Sequence, residues 1–183
     1  MQNRKKILVA LIVLVLLVAF ALFWHSRIPR EMNADIKSSN GAHYSLELPK
    51  DFVDAHFNDT LPEMSLQYES ADDDLHILVI DESKAKIISF GLDYDLDTYM
   101  KIATRTLDKD GIYVNKPLTI NGNKALQTEI RLTSNGIKKV YKLTCIETQK
   151  FFYQVLTWTA ESEFEPNKDD MEKMINSFRE NIQ

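Results

Sequence analysis

A single cysteine, Cys145, stands in 183 residues. This excludes an intrachain disulfide. An oxidising compartment is then allowed but not required. No cysteine lies near the N-terminus, so a lipid-modified N-terminus is excluded as well. The chain has no G-x-S-x-G turn and no glycine-rich phosphate loop. His43, His56 and His76 are widely spaced, with no H-x-x-x-H pairing and no cysteine partner, so they do not outline a metal site. No internal repeat or low-complexity segment is present. Basic charge is scarce after the first 30 residues. Five of the 22 Lys and Arg residues precede Glu31, and all 27 acidic residues follow from it, leaving a net charge of about −10. Nucleic-acid binding relies on basic patches and is excluded on this ground. Such an acidic surface keeps a domain soluble and away from anionic headgroups.

What the chain does have is one long apolar run. Arg4, Lys5 and Lys6 precede an uncharged stretch from Ile7 to Trp24, and Arg27 and Arg30 follow it. As a helix it spans roughly 27 Å, close to the hydrocarbon thickness of a bilayer. Ala19-Phe20-Ala21 fits a signal-peptidase site, but the run continues through Leu22, Phe23 and Trp24, and Trp24 suits an interfacial position. The expectation is a retained anchor that contacts the lipid bilayer through Ile7 to Trp24. The short basic tail places the N-terminus in the cytoplasm. The expected organisation is a cytoplasmic tail (1–6), a transmembrane signal-anchor helix (7–24), a linker (25–40) and a periplasmic or extracellular globular domain (41–183).

About 150 residues suffice for a single core. Tyr44 to Leu48 alternates as a half-buried strand ended by Pro49. Further strands are expected at Met64 to Tyr68, at Leu75 to Ile80 with both faces covered, and at Lys86 to Phe90. Asp95 or Asp97 caps a helix reaching Leu107, with Tyr99, Ile102, Ala103, Thr106 and Leu107 on its inner face. A three-strand meander follows. Its turns are Asn121-Gly122 and Asn135-Gly136, residue pairs suited to the positive φ angles of a type I′ hairpin. A last strand covers Phe151 to Thr159. A helix opened by Pro166 carries the stripe Met171, Met174, Ile175, Phe178 and Ile182, which reads as core.

A two-residue loop at Asn135-Gly136 sets the register of the second hairpin. Ser134 faces Ile137, Ile130 faces Tyr141, Thr128 faces Leu143 and Leu126 faces Cys145. The opposite side pairs Glu129 with Lys142 and Gln127 with Thr144. One register thus yields an apolar side and a cross-strand ion pair. Cys145 becomes a core thiol, and Glu129 a surface partner rather than a general base.

The order of strand-Pro, strands, helix, meander and helix resembles the PsbP/Mog1-like family. The resemblance rests on Tyr44-Ser45-Leu46-Glu47-Leu48-Pro49-Lys50-Asp51-Phe52, on Pro117-Leu118-Thr119-Ile120-Asn121-Gly122-Asn123-Lys124-Ala125 and on Met174-Ile175-Asn176-Ser177-Phe178. Together these span most of Gly41 to Phe178. Phe52 departs from a position where members often carry tryptophan. The resemblance implies an α+β fold with helices flanking an antiparallel sheet, an α/β/α sandwich. It also implies accessory and binding roles: assembly of membrane complexes, small-GTPase binding, or work at the bacterial envelope. It supplies no catalytic residues.

No other constellation points to chemistry. Asp93, Asp95 and Asp97 fail the EF-hand pattern at Thr98 and Thr104, and a cap accounts for the last of them. Asp72-Asp73-Asp74 reads as a solvated turn. His76 shares a strand face with Leu78 and Ile80 and reads as a buried histidine. Asn58-Asp59-Thr60 is a glycosylation sequon, relevant only in a eukaryotic secretory pathway. Tyr68, Phe152 and Trp158 read as core, with a shared pocket as the alternative. No catalytic, cofactor-binding or metal-binding residue is expected. The resulting reading is a membrane-tethered, non-enzymatic binding or assembly module with an envelope or membrane protein as partner. A carrier of a small apolar ligand and an enzyme built from scattered residues stand as alternatives.

Overall fold

The computed structural model describes residues 31–55, 64–72 and 74–181. The expected anchor, its tail, His56, the sequon at Asn58, Asp73 and Ile182 lie outside the described residues. Among those described, no helix is long and apolar enough to cross a membrane.

Among the described residues, ten strands, three α-helices and a short 3-10 turn build the domain. Strands β1 (Glu31–Lys37), β2 (His43–Pro49) and β10 (Arg179–Glu180) form a three-stranded sheet with β2 in the middle. Strands β3 (Phe52–Asp54), β4 (Met64–Ser70), β5 (Leu75–Ser83), β6 (Lys116–Ile120), β7 (Asn123–Ser134), β8 (Ile137–Glu147) and β9 (Phe151–Ala160) form a seven-stranded sheet in the order β3-β4-β5-β9-β8-β7-β6. Every pairing is antiparallel. The helices are α1 (Lys84–Ser89), α2 (Leu96–Leu107) and α3 (Phe164–Ser177).

The large sheet is covered on both faces, and its alternation divides the core in two. On one face Ile77, Val79, Val140, Ile146, Tyr153 and Val155 pack with Tyr44, Leu46 and Leu48 of β2 and with Met171, Met174 and Ile175 of α3. On the other face Leu78, Ile130, Leu143, Cys145, Phe152 and Trp158 pack with Ile87 of α1 and with Leu96, Tyr99, Met100 and Ala103 of α2. The α+β class stands. The outer layer on the first face is mixed, because α3 shares it with the three-stranded sheet.

The second hairpin has the register set by its turn: Ser134 faces Ile137, Glu129 faces Lys142 and Leu126 faces Cys145. Asn135 and Gly136 take φ of 51° and 80°, and Asn121 and Gly122 take 46° and 86°, as a two-residue turn of this type requires. Cys145 is fully buried. Asp95 caps α2 by accepting a hydrogen bond from the Thr98 N–H at 2.8 Å. In α3, Met171, Met174 and Ile175 are buried as the stripe requires.

Four expectations are corrected. Residues 31–37 are strand β1, not linker. Only Ala34 of this strand is buried, so its own sequence carries little apolar signal. The strand exists through its pairing with β2. Lys86 to Phe90 belongs to the short helix α1 and its C-cap, not a strand. The Ser83 hydroxyl caps it by accepting the Lys86 N–H at 3.4 Å, and Gly91 at φ 75° follows it. The inner face of α2 is carried by Leu96, Met100 and Thr104 together with Tyr99 and Ala103, whereas Ile102 and Thr106 are exposed. Finally, Glu129 and Lys142 stand opposite each other but do not pair. Glu129 binds Arg131 at 2.7 Å, while Lys142, buried beneath α3, binds Glu172 of that helix.

The last correction carries an expected result. Removing one partner of a buried ion pair leaves a desolvated charge, at a cost of about 3–5 kcal/mol when both ions are fully buried. Glu172 retains 37% of its side-chain exposure, so Glu172→Ala should cost less, about 2 kcal/mol. Adding Lys142→Met should recover most of that, and Glu129→Ala should stay within about 0.5 kcal/mol. Urea midpoints of the three variants check this. A larger loss for Glu129→Ala than for Glu172→Ala would reverse the assignment.

Candidate functional site

Where β5 ends, the chain turns sharply through α1 and then α2, and a cleft of about 260 Å³ opens between them. The alternation of β5 sends Glu82 to the same face as Leu78 and Ile80, beneath these helices. Ser83 starts α1, which turns Ile87 inward to the core and leaves Ile88 and Phe90 outward. Leu92, Tyr94, Tyr99 and Ile102 line the cleft from the connecting loop and from α2. The β1–β2 turn reaches the same place: Asn40 Nδ2 donates to the Asp81 carbonyl at 3.0 Å. The Asp81 side chain is fully buried, and one of its oxygens accepts from the Ser38 hydroxyl at 2.8 Å.

Tyr99 links the cleft to the core. Its hydroxyl donates to Glu82 Oε2 at 2.5 Å and accepts from Gln154 Nε2 at 3.1 Å. Burial pushes the phenol up, and the neighbouring Glu82 charge adds to this. Its ring stacks on Phe152 at 4.5 Å between centroids and 15° between planes. Lys84 Nζ lies 4.6 Å from the Phe152 centroid and 2.7 Å from Glu147. Burial likewise pushes up the nearby Cys145 thiol, which keeps it protonated and unsuited to attack. On the exposed rim, hydrogen bonds from Thr98 hold the Asp95 carboxyl below its ordinary value.

A second, shallower depression of about 310 Å³ involves α2 residues Asp97, Lys101 and Arg105 and the loop residues Ile112 and Tyr113. Tyr113 donates to Asp108 at 2.5 Å, and this bond pushes its phenol up to about 12. The apolar exposure of the domain concentrates on this layer. Of eight large exposed apolar side chains among the described residues, Ile88, Phe90, Leu92, Ile102, Ile112 and Val114 belong to α1, α2 and the loops that adjoin them. Phe90 is 71% exposed. Scattered exposed apolar residues need no explanation, but a cluster on one layer marks an interaction surface.

The residues singled out in the sequence fall elsewhere. Asp95 is a cap, and among the described residues no group of three His, Cys, Asp or Glu could hold a metal ion. His76 is buried and stacks on Trp158 at 4.8 Å. His43 pairs with Asp35 across β1 and β2 at 2.9 Å. Tyr68 packs on the first core and Phe152 and Trp158 on the second, so a shared pocket is excluded by the sheet between them. Sequence reasoning missed Glu82, Phe90, Leu92 and Tyr94, and it placed Ile102 in the core. The available signal was Phe90-Gly91-Leu92, apolar residues flanking a glycine that ends a helix.

No protein-family model and no curated sequence matches the chain. Solved structures do. LpqN of Mycobacterium tuberculosis, involved in cell envelope biogenesis, is similar at 14% identity and a TM-score of 0.58, over 88% of this chain and 96% of that one. The cyanobacterial PsbP of Synechocystis sp. PCC 6803 is similar at 13% identity and 0.58, over 84% and 94%. The Ran-binding protein Mog1p of Saccharomyces cerevisiae is similar at 12% identity and 0.55, over 82% and 95%. The domain therefore has the PsbP/Mog1-like fold.

Proposed function

We propose that the chain is a membrane-tethered binding or assembly module without enzymatic activity, working outside the cytoplasm through protein–protein contacts made by the α1–α2 layer. The observation that carries this is the cluster of exposed apolar side chains around the cleft, with Phe90 at its edge. A monomeric surface rarely keeps such a patch unless something covers it. Two of the similar folds belong to proteins described as Ran-binding and as involved in cell envelope biogenesis, roles that agree with this reading.

The tether is proposed from the apolar run Ile7 to Trp24. Such a tether would keep the domain at the membrane and near its protein complexes. The basic tail Arg4-Lys5-Lys6 supports a periplasmic or extracellular position for the domain.

The test uses the full chain in native membranes, with a photo-crosslinking amino acid at Phe90 or at Ile137. Ile137 is also exposed but lies at the β7–β8 turn. A discrete adduct is expected from Phe90 and none from Ile137, and Phe90→Asp should abolish copurification of that partner. Equal labelling at both positions, or none at either, would reject the contact surface. In the same cells, protease added to spheroplasts should digest the domain, and protection would reject the orientation.

A further inference from the structure

We infer that the cleft between α1 and α2 receives a cationic side chain, a lysine or arginine of a partner polypeptide, held against aromatic rings beside Glu82. This rests on the contact surface proposed above and specifies its chemistry. Two partly exposed aromatic residues, Phe90 and Tyr94, line the cleft together with the Glu82 carboxylate, which the buried Tyr99 holds through its hydroxyl. Aromatic faces and a carboxylate around one opening are the groups that bind ammonium and guanidinium ions. At about 260 Å³, the cleft is smaller than most sites for whole ligands and suits one long side chain. Ile87, Leu92 and Ile102 offer apolar contact for the methylene stem of such a residue.

The charge of the domain agrees. At the cleft Glu82 is the acidic side chain and Lys86 the basic one, whereas the Asp81 carboxylate is buried on the opposite face of β5 against Ser38. The surrounding domain carries about −10, a field that concentrates cations. The chain also makes the same contact internally. Lys84 sits between the Phe152 ring and the Glu147 carboxylate, and Phe152 stacks on Tyr99, which lines the cleft. Charge favours a polypeptide over the bilayer as the occupant, because an acidic domain is repelled by anionic headgroups.

The test titrates the ¹⁵N-labelled full chain in detergent micelles with two tripeptides, acetyl-Leu-Lys-Leu-amide and acetyl-Leu-norleucine-Leu-amide. They share a four-carbon stem and differ in the ammonium. The lysine peptide should bind at least tenfold more tightly and shift the amides of Glu82, Lys86, Tyr99 and Ile102. Glu82→Gln keeps an acceptor for Tyr99 but removes the charge, and it should bring the two peptides within twofold. Phe90→Ala, at an exposed position, should weaken the lysine peptide at least threefold without other spectral change. Equal binding of the two peptides, no binding, or shifts confined to another surface would overturn the inference. Butylammonium binding as tightly as the lysine tripeptide would overturn the polypeptide as its source. The two proposals fail separately. A partner crosslinked at Phe90 with no lysine preference removes the cation site and keeps the contact surface. A lysine preference without a crosslinked partner removes the contact surface and keeps the cation site.

Discussion

Phe178→Ala should lower the stability of the domain by about 4 kcal/mol, the range for deleting a buried phenylalanine side chain. Phe178 is fully buried where α3 ends and the chain enters β10. Its ring contacts Tyr44 of β2 at 5.6 Å and Tyr153 of β9 at 4.8 Å between centroids, so it joins the three-stranded sheet, the large sheet and α3. Its carbonyl accepts from Asn121 Nδ2 at 2.6 Å, which ties the same point to the β6–β7 turn. The alanine leaves a cavity among three layers that cannot close together. Domains of this size have about 5–15 kcal/mol in total, so the variant should melt at least about 8 °C lower. Phe178→Leu should lose less than half as much. Urea and thermal melts of the two variants check this, and a loss below 1 kcal/mol for alanine would show that the layers do not depend on this ring.

Alkaline pH should unfold the domain cooperatively. Burial pushes the phenols of Tyr44, Tyr99 and Tyr153 well above their ordinary value of 10.0. For Tyr99 the Glu82 charge adds to this, and for Tyr153 the hydrogen bond to Glu180 does. These groups stay neutral in the folded state and ionise near pH 10 in the unfolded chain. Their contribution is therefore complete below pH 10 and is lost as pH rises from there toward the raised folded values. Each such phenol removes about 1.4 kcal/mol per pH unit above 10, so three of them remove about 4 kcal/mol by pH 11. The buried Cys145 thiol, also raised, acts in the same direction from an ordinary value of 9.0. Phenolate absorbance should appear for these tyrosines together with loss of near-ultraviolet circular dichroism. Stepwise ionisation in a chain still folded at pH 12 would contradict their burial.

Some of this architecture is local enough to be read directly from the chain. The hairpin at Asn135-Gly136 is one example, because a two-residue turn with two positive φ angles fixes which residues face each other, and alternation then assigns their faces. The Asp95 cap and the stripe of α3 are others. The same register argument also shows where local reasoning stops. It placed Glu129 opposite Lys142 correctly, yet Lys142 binds Glu172, 30 residues away on a helix that crosses that face. Facing positions on adjacent strands are a property of the hairpin. The partner a long charged side chain chooses depends on everything within its reach.

What the chain determined alone was its acidic charge, its apolar N-terminal run, its main strands, the register of its second hairpin and its α+β order. All follow from turn chemistry and from periodicity along consecutive residues. The tertiary structure decided the rest. It made residues 31–37 a strand through pairing with β2, although Ala34 alone is buried there. It divided Tyr68 from Phe152 and Trp158 by a sheet. It also gathered Glu82, Phe90, Tyr94 and Tyr99 around one cleft while leaving Phe90 and Ile102 outside the core. The physical reason is that an apolar side chain in sequence is core or surface only once another layer does or does not cover it, and that covering comes from distant residues.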